Sequence, residues 1–220
     1  MIRSRIVFEN QSTPQAPARP TPVQRRGIER VRAILDAAET LLGEQGYEAA
    51  TLKAIGERAG IPTASVYHYF SDRTQVDAEL LRRHLHEVEQ RLTTALSQSA
   101  PRTLREAIDT VIDPMIAYFR EYPSCVELWF TGRHQALSEL VRAFDEAQAE
   151  QLRHVLVERG LLPADTPPFV LRFAFEAGRR LFDVAFRYSP SGDDVTIDET
   201  RRLVNAYLET YARPTPEEHD

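Results

Sequence analysis

The chain has 220 residues, 27 Lys and Arg against 33 Asp and Glu, and a formal net charge of −6, enough length to bury one sizeable core or two compact units. Its single cysteine, Cys125, excludes an internal disulfide framework, and no apolar run approaches the ~20 residues of a membrane span. The Ile6-Val7-Phe8 cluster is too short for a signal-peptide core, so the cytoplasm is the expected location and no membrane partner is expected.

Sparse glycine and long stretches of helical rather than alternating periodicity predict an all-α protein. Residues 1–24 include the tract QSTPQAPARPTP, which cannot build a core and is expected to be a flexible arm. Net acidity argues against nucleic acid, but the charge is unevenly placed. Residues 1–33 carry seven Arg and two Glu, while residues 74–220 hold 17 cations against 25 acids. Arg3, Arg5, Arg19, Arg25 and Arg26 are therefore placed to meet phosphates or a minor groove, the alternative being a solvated tail.

A first long helix is predicted over roughly Arg25 to Glu44, with Ile28, Val31, Ile34, Leu35, Ala38, Leu41 and Leu42 on one face. Thr51 can cap a short second helix, in which Leu52, Ile55 and Ala59 recur at helical spacing. Gly60 suits a left-handed end, and Pro62 turns Ile61 away from the helical region before opening the next helix. Val66 and Phe70 can anchor that third helix. Thr63, Ala64, Ser65, Tyr67 and His68 are left on sides that can face outward, and no charged residue occurs between Gly60 and Ser71. Two short helices meeting at such a corner read as a helix-turn-helix whose second helix enters a DNA major groove. For Tyr67 the competing role is a wedge in the core.

At these residues the chain resembles the TetR/AcrR family of one-component bacterial transcriptional regulators. The matching run is Gly46-Tyr47, Thr51, Ile55-Gly56, Ala59-Gly60-Ile61, Pro62-Thr63-Ala64-Ser65-Val66-Tyr67-His68-Tyr69-Phe70 and Arg73. It departs from the family pattern at Gly56 (for Ala), Pro62 (for Ser) and Ala64 (for Gly). Gly56 is expected to loosen the second helix by up to ~1 kcal/mol. The resemblance implies DNA contacts by Ser65 and His68 at base edges or phosphates, with Thr51, Thr63, Tyr67 and Arg73 holding the backbone. It also implies an N-terminal three-helix DNA-binding domain joined to a larger helical domain for ligand sensing and dimerisation, about nine helices in all.

Downstream, Ser71 can cap a fourth helix carrying Val76, Leu80, Leu81, Leu85, Val88, Leu92 and Leu96, which spans the border between the domains at 25–72 and 73–213. Capping-box spacing recurs at Thr103/Glu106, Ser124/Glu127 and Thr196/Glu199. Pro114 falls inside the helix that Thr103 opens and is expected to kink or break it. The segment from Ser124 through Trp129 is expected to stop near Gly132, and a long helix follows from Ala136 to Arg159. Thr166-Pro167 opens another helix reaching Tyr188, and a last helix carries Leu203, Val204, Tyr207, Leu208 and Tyr211 before a polar tail at 214–220.

The helix ending at Tyr188 is apolar over most of its circumference apart from the stripe Arg172, Glu176, Arg179, Asp183, Arg187. It must be covered on more than one side. A second copy is the expected cover, with Ala174, Gly178, Leu181, Ala185 and Tyr207 at the interface; a wholly internal core is the alternative. The partners expected are thus double-stranded DNA as an approximate palindrome, a second copy of the chain, and a small-molecule effector. Tyr118, Trp129, His134 and Phe173 are taken as residues lining the effector site, although aromatic side chains at such spacing also make ordinary core. No cofactor or metal is implied. A nucleophile–base pair of Cys125 and His134 would be the enzymatic alternative, but no orienting third residue or oxyanion loop accompanies it, and His84 and His86 are too closely spaced to chelate. A regulator that binds DNA without a ligand is the remaining competitor.

Overall fold

A computed structural model describes residues 22–130 and 134–212. The arm at 1–21 with Arg3, Arg5 and Arg19, the stop near Gly132 and the tail at 214–220 lie outside the described residues. Among those described there are nine helices and no strand: α1 (Pro22–Gln45), α2 (Leu52–Ala59), α3 (Thr63–Tyr69), α4 (Arg73–Gln98), α5 (Leu104–Glu121), α6 (Pro123–Phe130), α7 (Gln135–Glu158), α8 (Pro168–Tyr188) and α9 (Asp194–Glu209). None is long and apolar enough to cross a membrane.

Several helix starts differ from expectation, at α4 and α9 because a better side-chain acceptor stands nearby. α1 begins at Pro22 rather than Arg25, so residues 22–24 belong to the helix, and proline suits a first turn that lacks amide partners. Its Ile28 is 61% exposed and takes no part in the core. Asp72, not Ser71, caps α4 by accepting from the Gln75 amide at 3.0 Å, while the Gln75 side chain accepts from the Ser71 amide. Ser124 lies within α6, which starts at Pro123, and its hydroxyl is buried. Asp193 caps α9, where a carboxylate accepts from both the amide and the hydroxyl of Thr196. At Thr103 the cap forms as read, the Glu106 amide donating to Thr103 Oγ1 at 3.1 Å, while the Glu106 carboxylate accepts at 2.7 Å from the amide of Arg102, one residue before the cap. Pro114 sits inside α5 without ending it.

One apolar core runs from Ile34 and Leu42 of α1 through Leu80, Leu81 and Leu92 of α4 to Leu171 of α8 and Leu208 of α9. α4 packs on α1, α5, α6 and α7, so it is shared by the first three helices and the larger bundle. α8 packs on both α7 and α9. A displacement anywhere in the bundle that moves α4 is therefore carried rigidly to the first three helices, because close-packed side chains do not compress.

Candidate nucleic-acid interface and effector cavity

The corner between α2 and α3 is built as the sequence predicts. Thr51 Oγ1 accepts from the Ala54 amide at 3.2 Å, and Gly60 adopts φ +64, where a side chain would be strained. The turn then closes directly over Gly56. A Cβ there would meet Ile61 O at 2.9 Å and Val66 Cγ2 at 3.1 Å, so Gly56 lets α3 approach α2 closely as well as loosening its helix. Fully buried Val66 and nearly buried Phe70 pin one side of α3. On the other side Ala64, Tyr67 and His68 are exposed and Thr63 and Ser65 are half-buried. Tyr67 is 56% exposed, so it is a surface group and not a wedge in the core. Thr51, Arg25 and Arg26 are exposed as well.

Arg73 is the exception among the expected DNA contacts. Its guanidinium turns inward: Nε donates to Asp77 Oδ1 at 2.6 Å, and Cζ lies 4.6 Å from the centre of the Tyr47 ring. Asp77 is fully buried and Arg73 largely so, which keeps that charge away from any phosphate in this conformation. The Tyr47 hydroxyl donates to Asp77 Oδ2 at 2.8 Å and meets His134 Nε2 at 3.0 Å. The hydroxyl has one proton and gives it to the carboxylate, so His134 Nε2 must carry a hydrogen and donate in return. His134 immediately precedes α7, and Tyr47 stands between α1 and α2. These four side chains therefore join the bundle to the helix-turn-helix. His134 is not among the walls of the apolar cavity of the bundle, contrary to the expectation from sequence. It is also not paired with Cys125, whose thiol is fully buried and held well above its usual pKa by that burial.

A second polar group crosses the same joint. Buried His84 of α4 meets the Tyr118 hydroxyl through Nδ1 at 2.8 Å and the Ser124 hydroxyl through Nε2 at 3.3 Å, with Glu39 Oε1 at 3.8 Å. Tyr118, expected from sequence near an effector, is buried as a partner of His84 and is not among the walls of the apolar cavity. Burial pushes the His84 imidazole from 6.5 down to about 3, and the neighbouring Arg83 charge acts in the same direction. The folded pKa lies below the free value, so this contribution to stability is complete above pH 6.5 and is lost as pH falls toward 3. The slope is about 1.4 kcal/mol per pH unit. In urea unfolding between pH 6 and pH 4, the His84→Gln variant is expected to lose stability more gently than the wild type by about that slope. Parallel pH profiles would show that His84 titrates normally in the fold.

A small, largely apolar cavity lies among α5, α6, α7, α8 and α9. Its walls include Ile112, Met115, Phe119, Trp129, Leu171 and Phe182, and its volume is about 50 Å³. That is room for water-sized occupants, against roughly 300–1,000 Å³ for a drug-sized ligand site. Edge-to-face contacts of Phe119 with Trp129 (5.1 Å), Phe130 (5.4 Å) and Phe186 (5.5 Å) fill the space around it. Trp129, Phe130 and Arg179 also wall a surface cleft of about 430 Å³ between α6, α7 and α8. These three side chains line both spaces. Of the residues expected around an effector, Trp129 walls the apolar cavity, and Tyr118, His134 and Phe173 do not.

Phe173 is 60% exposed on the outer side of α8. Phe169 (39%) lies one turn before it, and Leu203 (47%) of α9 is also exposed. Ala174, Gly178 and Ala185, expected at an interface between copies, are buried within the chain. A Cβ on Gly178 would touch Val204 and Thr200 of α9 at ordinary contact distance, and Ala174 walls the cavity. The small residues let α8 pack on its own neighbours, and the larger aromatic side chains face out. Leu181 and Tyr207 are half-buried. The signal for this was present in the spacing of Phe169 and Phe173, one helical turn apart on the face opposite Ala174 and Gly178.

Comparison with known proteins gives two family matches: "Bacterial regulatory proteins, tetR family" over residues 34–80 and "Tetracyclin repressor-like, C-terminal domain" over residues 103–208. The HTH-type transcriptional regulator BetI of Rhizobium meliloti is 29% identical over 192 residues, covering 85% of this chain and 92% of its own. The HTH-type transcriptional repressor KstR2 of Rhodococcus jostii is 29% identical over 191 residues, covering 82% and 90%. A TetR-family transcriptional regulator from Streptomyces coelicolor, solved by crystallography, is 33% identical with a TM-score of 0.62, covering 83% of this chain and 99% of that one.

Proposed function

Because the chain belongs to the TetR family of bacterial regulatory proteins, we propose that it is a repressor that binds a palindromic operator as a homodimer and leaves it when a small molecule fills the bundle cavity. It is a transcriptional regulator and not an enzyme. One observation carries the DNA reading: α3 is pinned through Val66 and Phe70 while Ala64, Tyr67 and His68 project into solvent. A helix presented this way can enter a major groove without unfolding anything behind it. Exposed Arg25 and Arg26 on the first turns of α1 supply phosphate contacts beside it.

A recognition helix of seven residues reads few base pairs, so specificity calls for two copies related by a twofold axis. The exposed aromatic face of α8 together with Leu203 of α9 supports such a pairing, since isolated chains seldom leave adjacent phenylalanines in water. Release follows from the shared helix and the joint. Matter entering the cavity displaces Trp129 and Phe130 at the end of α6, and α7 starts at the His134–Tyr47–Asp77 group. Effector and operator must then weaken each other by the same factor. A protein working this way resides in the cytoplasm, with the DNA.

Selection from randomised DNA is expected to return one motif with twofold symmetry. The Ser65→Ala/Tyr67→Ala double variant should bind that motif at least ~10-fold more weakly, on ~1–3 kcal/mol for a lost base contact. Its melting temperature should stay within a few degrees, because neither side chain is buried. Unchanged affinity for the selected motif in the double variant would remove α3 from the interface.

A further inference from the structure

The cavity contains one feature that an ordinary apolar core would not keep. Asp145 of α7 is 7% exposed and lines a space whose other walls, Arg179 apart, are apolar. Its Oδ2 is buried and makes no hydrogen bond among the described residues. Arg179 Nε lies 3.3 Å from that oxygen but is not aligned to donate, and the Arg179 Nη2 is already engaged by Glu176. A buried acceptor without a donor is expensive to maintain and disfavours an empty cavity.

Charge around this oxygen favours some occupants over others. Glu176 and Glu146 both act on Asp145 with negative charge, against the single guanidinium of Arg179. An entering carboxylate would face three acids and one cation. A hydroxyl or an ammonium group would supply the missing donor and find the local balance favourable. The surface cleft lies beside the cavity, since Trp129, half-buried Phe130 and Arg179 line both spaces.

Resting on the reading of this cavity as the effector site, we propose that the effector is a compact, largely apolar alcohol or amine. Its single polar head donates a hydrogen bond to Asp145 Oδ2 while its body displaces Phe130 and packs on Trp129. Carboxylic acids are excluded. The head is placed between α7 and α8, so donor chemistry selects the ligand and the size of the body sets how far the helices part.

Trp129 is the sole tryptophan, so its emission reports the cavity directly. Four size-matched probes test the assignment by fluorescence titration of the full chain: 2-phenylethanol, 2-phenylethylamine, ethylbenzene and phenylacetate. The alcohol and the amine are expected to bind at least about tenfold more tightly than ethylbenzene, as one hydrogen bond to an otherwise unsatisfied buried acceptor warrants, and phenylacetate most weakly. In Asp145→Leu that preference should vanish while ethylbenzene binds as well or better. Asp145→Asn, which keeps an acceptor oxygen, should retain the alcohol and lose the preference for the amine. Phenylacetate as the tightest probe, or a donor preference that survives in Asp145→Leu, overturns the proposal. Ethylbenzene binding as tightly as the alcohol overturns the head group but leaves the cavity as the effector site. If no probe alters Trp129 emission in any of the three proteins, the cavity reading itself fails and takes the proposal with it.

Discussion

A Phe173→Glu/Leu203→Glu variant is expected to be a folded monomer that holds the operator at least ~100-fold more weakly than the wild type. Both side chains are largely in water in the single chain, so replacing them removes little internal packing. Within an apolar contact between two copies the same substitutions would bury four carboxylates without partners, which no ordinary interface offsets. Loss of pairing turns one bidentate attachment to DNA into two independent weak ones, and linkage of that kind is worth about 10²–10⁴ in affinity. Sedimentation equilibrium reads the oligomer, circular dichroism the fold, and anisotropy with the selected operator the affinity. A variant that remains dimeric would move the interface off α8 and α9.

Asp77→Ala is expected to lower unfolding stability by about 3–5 kcal/mol, the range for removing one partner of a buried ion pair. Asp77 is fully buried, and it accepts from both Arg73 Nε and the Tyr47 hydroxyl. Removing it strands a guanidinium whose Nη2 is already buried without a hydrogen bond, and takes from the Tyr47 hydroxyl, which also meets His134, the carboxylate to which it donates. The Arg73→Met/Asp77→Leu double replacement should recover most of the loss, because an apolar pair of similar volume carries no uncompensated charge. It should not fully recover the response of operator binding to effector, since the Tyr47–His134 contact between α7 and the α1–α2 connection would lack the carboxylate that orients it. Urea unfolding reads the first quantity and operator anisotropy with and without effector reads the second. A single-variant cost below about 1 kcal/mol would mean that Arg73 and Asp77 are hydrated and hold nothing together. Full effector response in the double variant would place the coupling in α4 packing alone.

Local chemistry made much of this molecule readable in advance. The positive φ of Gly60, the cap by Thr51, the anchoring by Val66 and Phe70, and the cap at Thr103 all depend on residues within a few positions of one another. Caps were misassigned where two polar residues competed. Ser71 lost to Asp72, and Thr196 to Asp193, because a carboxylate is the stronger acceptor for exposed amides. Helical periodicity also located α8 and showed that it needed cover on several sides.

Which side faced which neighbour was beyond periodicity. Ala174 and Gly178 turned inward against α9 and the cavity, and Phe169 and Phe173 outward, because the direction of an apolar face is set by the helices that happen to pack there. The polar groups of the joint are farther from sequence logic still. Tyr47 and His134 are 87 positions apart, and His84 and Ser124 are 40 apart, yet each pair meets. Arg73 followed the same rule, leaving the DNA-facing role its position suggested for a buried carboxylate four residues along. The sequence by itself therefore determined the all-α class, the helix-turn-helix and its outward residues, since these arise from contacts between near neighbours. Only the tertiary structure decided the cavity wall, the outer face of α8 and the linkage between the two halves, since burial and long-range pairing exist only once separate helices have come together.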